Sequence, residues 1–290
     1  MQRRQFNTGL ALAISSALPA ARAAGAAVAA ISPWAAIESG VGGRLGVAVL
    51  DTGTGRFRGH RLDERFPMCS TFKWLVASLV LRRVDMGEER LDRRIRYGAR
   101  DLVSHSPVSE KHVGGEGMTV ADLCEAAVTV SDNGAANLLL RSFGGPPALT
   151  RHARSLGDTQ TRLDRIEPAL NEARPGDPRD TTTPRAMSVA LRAAVLGDAL
   201  SVAGREQLAR WLQATQTGNE RLRAGLPAGW RVGDKTGTGS RGSTNDVAVV
   251  WPPDRAPLVV AAYLTQCTAS AERRDAALAE AGRAAAALVG

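Results

Sequence analysis

The chain has 290 residues, of which 44% are hydrophobic and only 4% are aromatic, so it can bury one large core or two modest ones. Its formal net charge is +8, but the arginines are scattered among Asp and Glu without a sustained basic run, which argues against a nucleic-acid binder. The four histidines form no i,i+4 pair and lie near no cysteine cluster, which argues against a metal site.

Residues 1–23 are typical of an export signal. Arg3 and Arg4 precede a mildly apolar stretch over residues 8–20 and a small-residue cleavage site at 21–23. The arginine pair fits a twin-arginine leader, and a general secretory leader with a chance pair is the alternative. The stretch is too short and too weakly apolar for stable membrane anchoring. We therefore expect an exported, periplasmic protein.

Period-two patterns occur near both ends of the mature chain, and helical patterns fill its middle. Residues 45–50 predict a strand, and a turn over 51–55 returns the chain into 56–60. Further strands are predicted over 229–238, 246–251 and 258–264. The predicted helices are one after Pro67 to about Gly87, one opened by a capping box at Thr119–Asp122, one over 135–140, one around 184–196, one around 202–214, and an alanine-rich one from about Glu272.

This order predicts an α/β (α+β) fold: an antiparallel sheet flanked by helices, with an inserted all-α domain. We expect residues 24–65 and 215–290 to form the sheet domain and residues 66–214 the helical domain, with the active site between them. The polar stretch over 155–185 predicts a long loop, and such loops are usually functional.

The residues with the clearest chemical meaning are Ser70 and Lys73. Pro67 ends an extended segment, so Ser70 falls in the first turn of a helix and Lys73 lies above it on the same face. An amine beside a hydroxyl can accept its proton, and a helix N-terminus favours developing negative charge. The alternative is an ordinary helix whose lysine extends to solvent.

Three other segments follow in order. Ser131-Asp132-Asn133 interrupts a helical pattern and suits either a turn or a cleft edge. Residues 167–171, Glu-Pro-Ala-Leu-Asn, lie in the long loop, and Lys235-Thr236-Gly237 lies in a predicted strand. Residues 237–242 match Gly-x-Gly-x-x-Gly, but a strand follows where a dinucleotide site requires a helix, so we reject that interpretation.

With these motifs in this order, the chain resembles a class A serine β-lactamase, closest to the penicillinases of Gram-negative type, from about residue 33 onward. The resemblance implies the β-lactamase/transpeptidase-like fold, hydrolysis of penicillins and cephalosporins, resistance to β-lactams, no cofactor, no metal and a monomer.

The resemblance also implies roles for the catalytic residues. Ser70 would form the acyl-enzyme, with the backbone N–H groups of Ser70 and Thr238 as the oxyanion hole. Either Lys73 deprotonates Ser70 or it keeps the site electropositive while Glu167 acts through a water. Ser131 would relay a proton to the lactam nitrogen, and Glu167 with Asn171 would activate the deacylating water.

The residues expected to bind substrate are Asn133 for the acylamino side chain, and Lys235, Thr236, Gly237 and Thr238 for the carboxylate. An arginine often assists there, but the usual strand position is Thr244 in this chain. Arg221 matches the alternative position of some relatives, and Arg223 competes with it.

Four structural expectations accompany these roles. Asp132 should organise its turn, Arg165 and Asp180 should form an ion pair that closes the long loop, and the bond between Glu167 and Pro168 should be cis. His105 is either the tip of a loop over the cleft or a surface loop residue.

The cysteines depart from two disulfide patterns of the resembled family. Cys69 would face Gly239 and Cys124 would face Ala77, so neither has a partner. We expect three free thiols including Cys267, and the missing Cys69 bridge argues against carbapenem hydrolysis.

Two rival functions remain at this stage. A penicillin-binding D,D-peptidase shares the three motifs but lacks the Glu167 segment. A non-hydrolytic β-lactam sensor is the other, and the complete catalytic set argues against it.

Overall fold

A five-stranded antiparallel sheet forms from strands at both ends of the chain. In this computed structural model, which describes residues 32–289, its strands are β1 (Arg44–Asp51), β2 (Arg56–His60), β7 (Arg231–Thr238), β8 (Thr244–Trp251) and β9 (Leu258–Thr265), in the spatial order β2-β1-β9-β8-β7. The two-residue strands β3 (Phe66–Pro67) and β6 (Thr181–Thr182) pair with each other, as do β4 (Arg94–Ile95) and β5 (Met118–Thr119).

Helices occupy the middle of the chain and flank the sheet. Within residues 32–289 they are α1 (Pro33–Val41), α2 (Phe72–Asp85), α3 (Val120–Thr129), α4 (Asn133–Ser142), α5 (Gly145–Ser155), α6 (Pro184–Val195), α7 (Val202–Gln213), α8 (Leu222–Gly225) and α9 (Ala271–Ala286). Single 3₁₀ turns at Cys69–Thr71, Ala99–Asp101, Ser109–His112 and Ala169–Glu172 complete them.

The sheet is buried on both faces. Along β9, Val259, Ala261 and Tyr263 join the core made with the middle helices, whereas Val260 and Leu264 join a second core with α1 and α9. This alternation follows from the two-residue period of a strand. The α+β fold predicted from the sequence is confirmed.

Helix α6 packs on the sheet, against β1, β8 and β9, as well as against α7. Helix α6 lies within residues 66–214, for which the sequence predicts a separate helical domain. This segment therefore packs against the sheet as well as against other helices. The domain boundaries at residues 65 and 214 stay a prediction.

Most predicted elements are present, and three helices were missed. The hairpin of β1 and β2, the capping box at Thr119 and Asp122, and the helices starting at Pro184 and Val202 lie where the patterns place them. Helices α1, α5 and α8 were not predicted. The predicted export signal, residues 1–23, lies outside the described residues. None of the helices between residues 32 and 289 is long and apolar enough to cross a membrane.

The helical core predicts a specific cost of truncation. Leu139 of α4 is fully buried, so Leu139→Ala should lower the free energy of unfolding by about 2–5 kcal/mol, measured by urea denaturation. Met86→Ala is the matched control, because that side chain is 49% exposed. Equal losses in the two variants would contradict this account of the core.

Candidate active site

Ser70 lies in a tight 3₁₀ turn, Cys69–Thr71, directly before α2. Cys69 has a φ of +47°, and the Thr71 N–H donates to the carbonyl of Met68. Strand β7 passes close to this turn. A Cβ on Gly237 would lie 2.8 Å from the Met68 oxygen and 3.2 Å from the Ser70 nitrogen. Only glycine therefore allows the strand to approach the backbone beside Ser70 this closely.

Lys73 is fully buried one turn after Ser70 and is held by four acceptors. Its Nζ donates to the Ser131 carbonyl at 2.7 Å, to Asn133 Oδ1 at 2.5 Å and to Ser131 Oγ at 3.2 Å. It also forms an ion pair with Glu167 Oε1 at 3.1 Å. Burial lowers the pKa of Lys73, and the charge of Glu167 opposes that shift.

The Glu167 carboxylate connects the loop to the nucleophile. Ser70 Oγ lies 3.2 Å from Glu167 Oε1, and Asn171 Nδ2 donates to Oε2 at 2.5 Å. Asn137 of α4 holds the Glu167 backbone from both sides, accepting from its N–H at 3.0 Å and donating to its carbonyl at 2.9 Å. The bond between Glu167 and Pro168 is cis, as predicted.

Sequence reasoning missed Asn137. The available signal was a polar residue four positions after Asn133, which places both amides on one face of α4. The helix N-terminus itself is organised by Asp132, as predicted. Its carboxylate caps α4 by accepting from the Ala135 N–H and accepts from the N–H groups of Val108 and Ser109.

Lys235 reaches the same cluster from β7. Its Nζ donates to Ser131 Oγ at 3.2 Å and to the Thr236 carbonyl at 2.9 Å. Burial and the nearby Lys73 lower the pKa of Lys235 to about 7. The hydroxyl of Thr236 lies 2.5 Å from that of Thr217, a neighbour that sequence reasoning missed.

Arg221, and not Arg223, lies at the end of β7. Its Nη2 donates to Thr238 Oγ1 at 2.9 Å, and its Nη1 donates to the Gly237 carbonyl at 3.1 Å. Arg223 instead forms an ion pair with the buried carboxylate of Asp234. The structure thus brings all the predicted site residues into one connected cluster: Ser70, Lys73, Ser131, Asn133, Glu167, Asn171, Arg221, Lys235, Thr236, Gly237 and Thr238.

Known proteins are similar to this chain in sequence and fold. The sequence model of the Beta-lactamase enzyme family matches residues 28–289. β-Lactamase L2 of Stenotrophomonas maltophilia is 50% identical over 303 aligned positions, which cover 100% of both chains. The carbapenem-hydrolyzing β-lactamase KPC of Klebsiella oxytoca is 50% identical over 87% of this chain and 86% of its own. A solved ancestral class A β-lactamase (GNCA) superposes with a TM-score of 0.85 and 68% identity, over 86% of this chain and 96% of that one.

The chain belongs to the class A β-lactamases. It therefore hydrolyses β-lactams and acts in resistance to them. Membership of this family favours a β-lactamase over a D,D-peptidase or a β-lactam sensor.

The cysteines of this β-lactamase are unpaired, as expected. Cys69, Cys124 and Cys267 are all buried and free. Gly239 does lie beside Cys69, since a Cβ there would come 2.6 Å from its Sγ. Burial raises the pKa of Cys69 to about 12, so this thiol stays protonated next to the nucleophile.

His105 is exposed, with a φ of +62°, and its Nε2 lies 3.2 Å from the Val130 carbonyl, one residue before Ser131. The predicted ion pair of the long loop is present, with Arg165 Nε 2.6 Å from Asp180 Oδ2. Between residues 32 and 289 no group of three His, Cys, Asp or Glu side chains is arranged to hold a metal ion.

Two fully buried carboxyls lie behind Lys235, on one face of the sheet. Asp246 of β8 pairs with Thr236, which lies two residues after Asp234 on β7, so both Asp side chains lie on the same face. Asp234 Oδ2 and Asp246 Oδ1 have no donor among the described residues. Burial raises the pKa of Asp234 and raises that of Asp246 well above its usual range; Arg223 opposes the shift of Asp234, whereas the negative charge of Asp234 adds to the shift of Asp246. Among the described residues Asp234 has an ion pair with Arg223 and Asp246 has none, so we assign the neutral form to Asp246.

This assignment predicts a pH dependence. An unfolded aspartyl group loses its proton near pH 4, whereas folded Asp246 keeps it, so the stability contributed by this group falls as pH rises above 4. In Asp246→Asn that loss is absent. The free energy of unfolding of the variant relative to the parent should therefore rise between pH 5 and 8, by at most about 1.4 kcal/mol per pH unit.

Urea denaturation at several pH values measures the difference. Asp254→Asn is the control, because Asp254 is an exposed carboxyl and its substitution should give a constant difference over the same range. A constant difference for Asp246→Asn as well would mean that Asp246 is ionised in the folded protein.

Proposed function

We propose that this class A β-lactamase hydrolyses penicillins and cephalosporins through an acyl-enzyme on Ser70, which is deacylated by a water that Glu167 activates. The observation that carries the proposal is the position of one carboxylate. Glu167 Oε1 lies 3.2 Å from Ser70 Oγ and 3.1 Å from Lys73 Nζ, with both charged side chains fully buried. A base within hydrogen-bond reach of the nucleophile meets the geometric requirement for proton transfer.

Acylation begins when Ser70 Oγ attacks the lactam carbonyl and gives up its proton. Lys73, whose pKa is lowered by burial, can accept it directly, and Glu167 can accept it through a water. The oxyanion would be held by the backbone N–H groups of Ser70 and Thr238. When the carbon–nitrogen bond breaks, Ser131 Oγ passes a proton to the nitrogen, and it can be resupplied from Lys73 or Lys235, each 3.2 Å away.

Deacylation then requires a water beside the ester. Glu167 removes its proton as the water attacks the acyl carbon, and the departing Ser70 oxygen is reprotonated. The amide of Asn171 holds the Glu167 carboxylate, and the two bonds from Asn137 hold the Glu167 backbone in place. A base immobilised in this way needs no reorganisation when the water attacks.

The substrate carboxylate would bind at the end of β7. Lys235 supplies a buried ammonium, Thr236 and Thr238 supply hydroxyls, and Arg221 adds a guanidinium that is bonded to Thr238 Oγ1. Asn133 would contact the acylamino side chain with its remaining N–H, since its amide already donates to the Ser104 carbonyl at 2.8 Å. His105 would shape the entrance.

The substrate range and location are part of the proposal. The relative KPC is carbapenem-hydrolyzing by name, but Gly239 leaves Cys69 unpaired here, so we expect weak activity on carbapenems. We expect export to the periplasm through residues 1–23, by a twin-arginine or general secretory route, and action as a monomer.

Removing the proposed deacylation base should separate the two chemical steps. Glu167→Ala should still be acylated by benzylpenicillin but lose turnover by about 10²–10⁴-fold. Intact-mass spectrometry during the reaction should show a stable adduct of the drug in the variant and none in the parent.

Asp177→Ala is the matched control, because it removes a carboxylate of the same loop whose hydrogen bonds, within residues 32–289, all come from Arg179. It should turn over without an adduct. Rapid turnover by Glu167→Ala, or an adduct that persists in the parent, would contradict the assignment of Glu167.

The role of Arg221 in substrate binding can be tested by measuring KM and kcat separately. Arg221→Ala should raise KM by about tenfold or more while kcat changes less, because a charged hydrogen bond to the substrate carboxylate is lost. Arg241→Ala removes an equal charge from the exposed turn after β7 and should leave both constants near the parent values. Equal effects of the two substitutions would assign Arg221 only a general electrostatic role.

A further inference from the structure

A second cavity lies on the opposite side of the loop that carries Glu167. It encloses about 340 Å³ between the loop segment 165–179 and the end of the sheet where β1 and β9 meet. Leu170 and Ala173 line it from the loop, and Pro67 and Thr265 line it from the other side. This volume is within the range of small-molecule sites. None of the proposed catalytic residues lines it.

Positive charge predominates on the walls of this cavity. Two lining residues, Glu64 and Asp177, are acidic, and even with the adjacent Glu172 and Asp180 the guanidinium groups outnumber the carboxylates. The lining arginines are Arg44, Arg65, Arg165, Arg174 and Arg179.

On the side opposite the loop, the partners of Arg65 within the described residues are all neutral. Its guanidinium donates to the carbonyl and the side-chain oxygen of Gln160, at 2.9 and 3.0 Å, and to Thr181 Oγ1 at 3.1 Å. Arg44 stacks over Phe66 at 4.4 Å and uses Nη2 for its bonds to Glu64 and the Arg65 carbonyl. Among residues 32–289, Arg44 Nε and Nη1 have no acceptor. The guanidinium groups of Arg44 and Arg65 can therefore both donate to a further anionic partner.

On the loop side, Arg174 and Arg179 also have guanidinium donors without an acceptor among the described residues. Arg174 contacts Glu172 only through Nη2, at 2.5 Å, and its side chain is 61% exposed. Arg179 binds Asp177 through Nε and Nη2. No acceptor within the described part of the chain contacts Nη1 of either residue. A guanidinium fork with free donors binds phosphate or carboxylate groups in bidentate fashion.

We propose that this cavity binds a small soluble polyanion carrying at least two phosphate or carboxylate groups. One group would bind Arg44 and Arg65, and the other would bind Arg174 and Arg179. The ligand would thereby tie the loop to the body of the enzyme. Free donors lie on both walls, so a ligand with two anionic groups can contact both walls at once.

Binding in this cavity would restrain the segment that holds the catalytic carboxylate. Leu170, which lines the cavity and is 1% exposed, immediately precedes Asn171, the residue bonded to Glu167. Any resulting change in deacylation rests on the function proposed for Glu167. Binding itself does not, so it should persist in Glu167→Ala.

The test uses pyrophosphate and citrate as probes of the mature enzyme, by isothermal titration calorimetry at constant ionic strength maintained with NaCl. We expect saturable binding of one equivalent and slower hydrogen exchange across 165–179 when the probe is bound. Arg65→Gln and Arg174→Gln should each weaken binding by about tenfold or more, since each removes a charge-assisted contact. Arg174→Gln keeps the test valid if Arg65→Gln fails to fold.

Arg56→Gln is the matched control. Arg56 is an exposed arginine on β2, opposite Asp51 at the far end of β1 from Arg44, and its substitution should leave the affinity unchanged. The proposal is overturned by an absence of saturable binding, by equal weakening in the control, or by binding that leaves exchange across 165–179 unchanged. Loss of turnover in Glu167→Ala without loss of pyrophosphate binding would support both proposals separately.

Discussion

The active site depends on a buried ion pair between Lys73 and Glu167. Their charged atoms lie 3.1 Å apart and both side chains are fully buried. Removing either charge alone would leave its partner desolvated, which is far more costly than losing a surface ion pair. The two residues come from different parts of the chain, a helix and a long loop. Their pairing therefore helps to hold that loop against α2, together with Asn137, and places a carboxylate beside Ser70.

The electrostatics of the cleft follow from how the remaining buried charges are balanced. Lys235 adds positive charge on β7, and Arg221 adds a guanidinium that already pairs with Asp275 at 2.8 Å, whereas Asp234 and Asp246 are buried on the face of the strand opposite Lys235. With Asp246 neutral, the two carboxyls contribute one negative charge, and Arg223 already pairs with Asp234. The side of the strand that faces Ser131 stays electropositive, which suits the carboxylate of a β-lactam.

Sequence reasoning identified the catalytic motifs because each is a short contiguous run of residues and their order along the chain is specific. It missed α5 because Gly145-Pro146-Pro147 reads as a turn, although proline is well tolerated in the first turn of a helix. It missed Asn137 and Thr217 because their roles arise only from contacts with Glu167 and Thr236, which are distant in sequence. Arg221 was preferred over Arg223 only because it matches a position in some relatives. The buried carboxylate of Asp234 makes that choice by engaging Arg223.

The loop is held by separate sets of contacts, and this separation matters for its function. Arg165 joins Asp180 and Glu172, which closes the loop on itself, whereas Asn137 and Lys73 hold Glu167 to the helical core. The remaining segment, which includes Arg174 and Arg179, has few bonds to the rest of the protein and lies over an arginine-rich cavity. Segments with few buried contacts open at the lowest free-energy cost. Contacts with the helical core therefore fix the position of the Glu167 carboxylate. The segment that carries Arg174 and Arg179 has fewer such contacts, so a bound anion could change its position without displacing that carboxylate.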